Sequence, residues 1–149
     1  MTQSGARDLA RTIAACESSG PYCLMGGLAV DCYVEPVYTP DVEFVVIASS
    51  LHLLQVHSKP GSQLRIQFTT DERYQAFLAR STEAEVLGLR VKVASLQDVT
   101  QGKLWAYGDS HRRLSKRKKD ELDLIRLAEA HPELKAQYPA ELREQIDRG

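Results

Sequence analysis

Apolar residues recur at helical spacing across residues 6–18, where Leu9, Ala10, Ile13 and Ala14 share one side and Arg7, Asp8 and Arg11 lie off it. The spacing predicts an amphipathic helix closed by the breaker Ser18-Ser19-Gly20-Pro21. The period then changes. "YCLM" is a short continuous apolar run, as expected of a buried strand. Gly26-Gly27 follows as a tight turn, and "LAVDCYV" reads as a helix that Pro36 stops. "DVEFVVIA" predicts the next strand, because Val42, Phe44 and Val46 fall on one face among β-branched neighbours. "SSLHLLQVH" predicts a short helix capped by a serine, Lys59-Pro60-Gly61-Ser62 a turn, and "QLRIQFT" a third strand. "RYQAFLARS" is an ambiguous helical stretch, and "EVLGLRVKVA" reads as one or two strands interrupted at Gly88.

From Ser95 onward the pattern is helical. Ser95 and Asp98 approximate a capping box that opens "LQDVTQGKLWAYG". A second helix from about Lys116 to His131 carries Leu122, Leu124, Ile125, Leu127 and Ala128 as its apolar stripe. Pro132 and Pro139 each stand where a first helical turn begins. The chain therefore divides into an α/β part, residues 1–94, and a helical part, residues 95–149, with no internal repeat.

Composition narrows the classes. A chain of 149 residues, 43% apolar and 26% charged, fits one compact domain with a helical extension. Cys16, Cys23 and Cys32 have no metal-ligand spacing, and an odd number makes no complete disulfide framework, so they are expected to be reduced. No apolar run reaches the roughly 20 residues of a membrane span, and "MTQSGARD" lacks a secretory core, so no membrane partner and a cytoplasmic location are expected. The net charge of −1 does not advertise nucleic-acid binding, but "HRRLSKRKK" at 111–119 concentrates six Lys or Arg. Such runs are usually solvated faces. This one lies between two helices, where it is a candidate for holding a triphosphate or an RNA backbone, although no aromatic ladder accompanies it. The sequence contains no G-x-S-x-G, H-E-x-x-H, Walker or G-x-G-x-x-G motif, and its four histidines are scattered.

The chemistry concentrates in "MGGLAVDCYVEPVYTPDVEFVV", residues 25–46. Residues two apart on a strand point the same way, so Asp41 and Glu43 project together while Val42 and Phe44 enter the core. Paired carboxylates suit Mg²⁺, which takes carboxylate oxygens together with substrate phosphates. Gly26-Gly27 ahead of a helix lets backbone N–H groups approach phosphates. The bland alternatives are a plain turn and the solvated face of a half-buried strand.

This arrangement, Met25-Gly26-Gly27 followed after thirteen residues by Asp41-Val42-Glu43-Phe44, resembles the signature of the polymerase-beta-like nucleotidyltransferase superfamily. Lys103-Leu104 and Lys119-Asp120-Glu121-Leu122-Asp123-Leu124 resemble the C-terminal half of its small bacterial members, the toxin-antitoxin type and uncharacterised proteins among them. The resemblance implies an α+β fold with a small mixed sheet flanked by helices and a C-terminal helical segment. It implies metal-dependent binding of an NTP and transfer of NMP to an unspecified acceptor. In that reading Asp41 and Glu43 are catalytic and bind Mg²⁺, while Gly26, Gly27, Thr39 and Lys103 contact the nucleotide. Two departures stand out: Val37 occupies a place where close relatives carry Arg, and Gln67 occupies the slot of a third carboxylate. An amide takes no proton, so Asp71, Glu72 and Glu35 are the candidates to replace it. The alternative the resemblance leaves open is a catalytically inactive module that acts by binding a protein partner, as in a toxin-antitoxin pair.

Overall fold

The structure, a computed structural model, describes residues 3–54 and 64–149. The turn expected at Lys59–Ser62 and the end of the helix expected at 49–57 lie outside the described residues. Five strands form one mixed sheet: β1 (Tyr22–Met25), β2 (Asp41–Val46), β3 (Arg65–Thr69), β4 (Thr82–Val86) and β5 (Leu89–Val93). Their spatial order is β3-β2-β1-β5-β4. β1 runs antiparallel to β2 and parallel to β5, and β3 runs parallel to β2.

The continuous apolar run of β1 is explained by its place at the centre, where Tyr22, Cys23 and Leu24 are all buried. In β2, Val42, Phe44, Val45 and Val46 are fully buried, and Phe44 contacts both Tyr22 and Phe68. Helices cover the sheet. On α1 (Gln3–Ser19), Leu9, Ile13 and Cys16 supply the buried stripe. α3 (Ala48–Leu54) packs on α1, with Ser50 Oγ donating to the Ser19 carbonyl at 3.0 Å. Both serines of that stretch sit inside α3 rather than capping it, because the Ile47 carbonyl already accepts from the Ser50 and Leu51 N–H groups. The ambiguous stretch resolves into two short helices, α4 (Glu72–Gln75) and α5 (Phe77–Arg80), whose Tyr74 and Phe77 pack against Trp105.

Gly88 does interrupt two strands: β4 and β5 form a hairpin with Val86 opposite Leu89. Its two loop residues, Leu87 (φ 53°) and Gly88 (φ 80°), both have positive φ, as a type I′ turn requires.

The helical end is α6 (Leu96–Tyr107), α7 (Leu114–Ala130), a 3₁₀ segment (Pro132–Gln137) and α8 (Ala140–Arg148). Ser95 caps α6 by accepting from the Asp98 N–H at 3.1 Å, whereas the Asp98 carboxylate turns away to a bidentate pair with Arg80 at 2.8 Å. Along α7, Leu124, Leu127 and Ala128 are buried as expected, but Leu122 is 52% exposed. Asp120 and Asp123 occupy the inward face instead, since Lys103 on α6 and two arginines meet them there. No described helix is long and apolar enough to cross a membrane.

Candidate functional site

β1 ends at Met25, and the chain turns into α2 (Gly26–Val30) through Gly26. That helix starts two residues before the expected "LAVDCYV" and is short, continuing as turns to Val34. The glycine is required twice over. Its φ is +75°, and a Cβ there would fall on the Glu43 carboxylate oxygen. Glu43 lies opposite Met25 on the antiparallel neighbour, so its side chain folds over the glycine corner. Gly27 faces Thr39 Oγ1 and Lys119 Nζ, which a Cβ would meet at 3.6 and 3.7 Å.

Asp41 and Glu43 share the same face of β2, as period two demands, and both line a cavity of about 180 Å³ that Gly27 also lines. The parallel register sets Arg65 beside Asp41 and Gln67 beside Glu43. Gln67 thus stands beside Glu43 on the neighbouring strand. Of the proposed replacements, Asp71 caps α4 by accepting from the Arg73 N–H at 3.0 Å and pairs with the Arg73 guanidinium. Neither Asp71, Glu72 nor Glu35 lines this cavity. The carboxylate that does reach it from another element is Asp120 of α7.

Cations dominate the walls. Arg65, Lys103, Arg112, Lys116 and Lys119 face Asp41, Glu43 and Asp120, leaving the cavity net positive. Arg65 Nε lies 2.7 Å from Asp41 Oδ1, and Lys116 Nζ lies 3.1 Å from Asp41 Oδ2. Burial raises the Asp41 pKa, but Lys116, Arg65 and Lys119 outweigh it and hold the group below the usual carboxylate range. Thr39 is buried, and its hydroxyl accepts from the Asp41 N–H at 3.3 Å and from Lys119 Nζ at 3.0 Å. Lys116 and Lys119 therefore tie the start of α7 to the start of β2.

Lys103 is placed differently from the glycines and Asp41. It is buried at the back of the cavity, 3.2 Å from Asp120 and 2.9 Å from Asp123. Burial works against its charge, but Asp123 and Asp120 prevail and raise its pKa above that of an ordinary lysine. The pairs continue outward on both sides, from Asp120 to Arg112 at 2.6 Å and from Asp123 through Arg126 to Asp31, at 2.9 and 3.0 Å.

Of the lining residues, Arg65 was passed over in the sequence; Arg112, Lys116 and Lys119 entered only within the basic run 111–119, and Asp120 only within the Lys119–Leu124 motif. A signal for three of them was present. Arg65 has the parity of Gln67, and projecting the buried positions Leu124 and Leu127 back by one and two helical turns reaches Asp120 and Lys116.

For a metal, the donor set in the cavity consists of the Asp41 and Glu43 carboxylates and the Gln67 amide oxygen, all oxygen donors of the kind Mg²⁺ prefers. Among the described residues no three or more His, Cys, Asp or Glu gather to hold an ion by themselves. With Asp41 already neutralised by two cations, the residues fit an ion that arrives with phosphates and not one caged by protein alone.

Neither a protein-family model nor a curated protein matches the chain. Solved structures do. An antigenic nucleotidyltransferase-like protein from Paracoccidioides brasiliensis superposes with a TM-score of 0.54 at 18% identity, over 87% of this chain and 78% of that one. The antibiotic-resistance factor ANT(2'')-Ia superposes with a TM-score of 0.59 at 14% identity, over 98% of this chain and 90% of that one. The mixed five-stranded sheet with its flanking helices is a nucleotidyltransferase fold.

Proposed function

We propose that the cavity between the Gly26-Gly27 corner and α7 binds the phosphates of a nucleoside triphosphate together with Mg²⁺, and that the protein transfers a nucleoside monophosphate to a hydroxyl acceptor. The observation that carries this reading is the convergence of Asp41, Glu43 and Gly27 in one net-positive cavity. Phosphates would draw Arg65 and Lys116 off Asp41 and engage Lys119, so the chain exchanges its internal ion pairs for pairs with the ligand. Asp41, freed of those cations, and Glu43 would hold Mg²⁺, which when bound would neutralise charge on the phosphates. The Glu43 carboxylate covers Gly26, so Gly27 is the glycine that leaves a phosphate room to approach, and Thr39 keeps Lys119 aimed beside it. Lys103, held between Asp120 and Asp123, fixes α7 behind the cavity. In the transfer itself the acceptor oxygen bonds to the α-phosphorus, the bond from that phosphorus to the bridging oxygen breaks, and pyrophosphate leaves. Gln67 takes no proton, so the hydroxyl proton passes to solvent water, without the 10²- to 10⁴-fold or so that a positioned base contributes.

Gln67 also favours a second reading, a module that binds nucleotide and a protein partner without transfer. Isothermal titration with each of the four NTPs, with and without Mg²⁺, and a pyrophosphate-release assay separate the two. Mg²⁺-dependent binding with release that disappears in Asp41→Ala supports transfer. Binding without release, gained in Gln67→Asp, supports the second reading. Failure of every NTP to bind would refute both.

A further inference from the structure

Beyond Thr39 lies a second cavity, of about 310 Å³, with the opposite chemistry. It adjoins the phosphate cavity along the chain: Leu28, next to Gly27, and Thr39, two residues before Asp41, belong to its wall. Among the described residues no cationic side chain lines it. Its walls are apolar, from Leu28, Val37, Tyr38, Val86 and Leu87, and its charges are the carboxylates of Asp31 and Glu85. Asp31 is committed to Arg126, at 3.0 Å. Its size falls at the lower end for small-molecule sites, and its apolar lining with a few polar groups is their usual make-up.

Two further observations mark this cavity. Val37, Tyr38 and Leu87 are 48%, 67% and 52% exposed and account for three of the six large apolar side chains exposed among the described residues. Leu87 also holds φ +53°, a conformation that Asn or Gly adopts readily and leucine rarely does. A leucine kept in a left-handed turn with half its surface exposed has no packing reason to be there, whereas a ligand seated against it supplies one.

We propose that this cavity is a second small-molecule site, taking a ligand with an aromatic or apolar body that is uncharged or cationic. On the nucleotide reading above, on which this role rests, that ligand is the hydroxyl acceptor. The two cavities then sort their ligands by charge. A triphosphate is attracted by the lysines and arginines on one side of Thr39 and repelled by Glu85 on the other, where Asp31 is already neutralised by Arg126, while an apolar body finds its surface in the second cavity alone.

Matched phenols test the assignment: tyramine (cationic), 2-(4-hydroxyphenyl)ethanol (neutral) and 4-hydroxyphenylacetate (anionic), each titrated into ¹⁵N-labelled full-length protein and followed by amide shifts. The cation and the neutral phenol are expected to shift residues 28–39 and 85–87, with the anion severalfold weaker, the cost of a like charge beside Glu85. Leu87→Asn should weaken both binders by about tenfold through loss of apolar contact. Asn suits the left-handed turn, so the hairpin should stay folded. NTP affinity should not change in this variant, because Leu87 does not line the phosphate cavity. Scattered shifts, equal binding of the anion, or full binding by Leu87→Asn would overturn the proposal. So would a dimer that buries Tyr38 and Leu87 and dissociates in Leu87→Asn. Phenol shifts at residues 28–39 with no NTP response at Gly27 and Asp41 would sustain the cavity as a ligand site while refuting the phosphate reading beside it.

Discussion

Replacing Lys103 by methionine should be among the most destabilising single changes in the helical half of the molecule. The ammonium sits between two buried carboxylates, 3.2 Å from Asp120 and 2.9 Å from Asp123, and its loss leaves both almost wholly buried and short of a partner. Breaking a buried ion pair costs about 3–5 kcal/mol, because the remaining charge stays desolvated. The low end applies here. Asp120 keeps Arg112 at 2.6 Å, and Asp123 keeps Arg126 at 2.9 Å, so neither acid is left alone. A loss of about 3 kcal/mol corresponds to a melting temperature lower by roughly 6–12 °C for a domain of this size. In urea it moves the midpoint by roughly 1.5 M, taking a slope of about 2 kcal/mol per molar. Circular dichroism in urea measures the midpoint directly. Lys103→Met/Asp123→Asn should then regain part of the loss, because one of the two stranded charges is gone while Arg126 still pairs with Asp31. A loss below about 1 kcal/mol, or a double variant no more stable than the single one, would refute the view that these buried charges depend on one another.

Three other outcomes follow from the same geometry. Gly26→Ala should fold with a modest loss of about 1–2 kcal/mol from its left-handed φ, yet weaken Mg²⁺-dependent NTP binding much more, because the new methyl displaces the Glu43 carboxylate; calorimetric titration beside thermal melts separates the two effects. Asp41 has a lowered pKa in the folded state, so its ion pairs stabilise fully above the ordinary value of 3.8 and fade as pH falls through the folded value. The stability advantage of wild type over Asp41→Asn should therefore be flat at neutral pH and shrink below about pH 3.8 in an acid series of urea melts. Burial pushes the Cys16 and Cys23 thiols up to about 12 and Cys32 up to about 11, with neighbouring acids adding to it, so native protein at pH 8 should react with Ellman's reagent far more slowly than protein in urea.

The parts of this structure that were legible in the sequence are those fixed by short-range periodicity. Alternation in 41–46 sufficed to put Asp41 and Glu43 on one face, and the glycine pair sufficed to mark the corner they point toward, because both depend on neighbours a few residues away. The stripe on α7 shows where that logic fails. Leu122 satisfies helical spacing as well as Leu124 does, and the pattern alone cannot rank them. What excludes Leu122 from the core is that Asp120 and Asp123 share the inward face with Leu124 and Leu127, and two acids can stay there because Lys103, 17 residues away from Asp120, and Arg112 meet them. The partners of the cavity's lysines are hidden for the same reason. Lys116 reaches Asp41 across 75 residues of chain and Lys119 reaches Thr39 across 80, so a run of six basic residues looks like one solvated cluster until the fold sorts it. That sorting also bears on chemistry. The two carboxylates that look in sequence like a waiting metal site are, in the folded chain, one acid already neutralised by Arg65 and Lys116 and one folded over a glycine. A protein arranged in this way has little need of a free ion to hold the site together, and a ligand must bring enough negative charge of its own to draw those cations away. Affinity should then rise steeply from monophosphate to triphosphate, far beyond what the nucleoside contributes. A titration in which AMP and ATP bind equally well would show that Arg65 and Lys116 never leave Asp41.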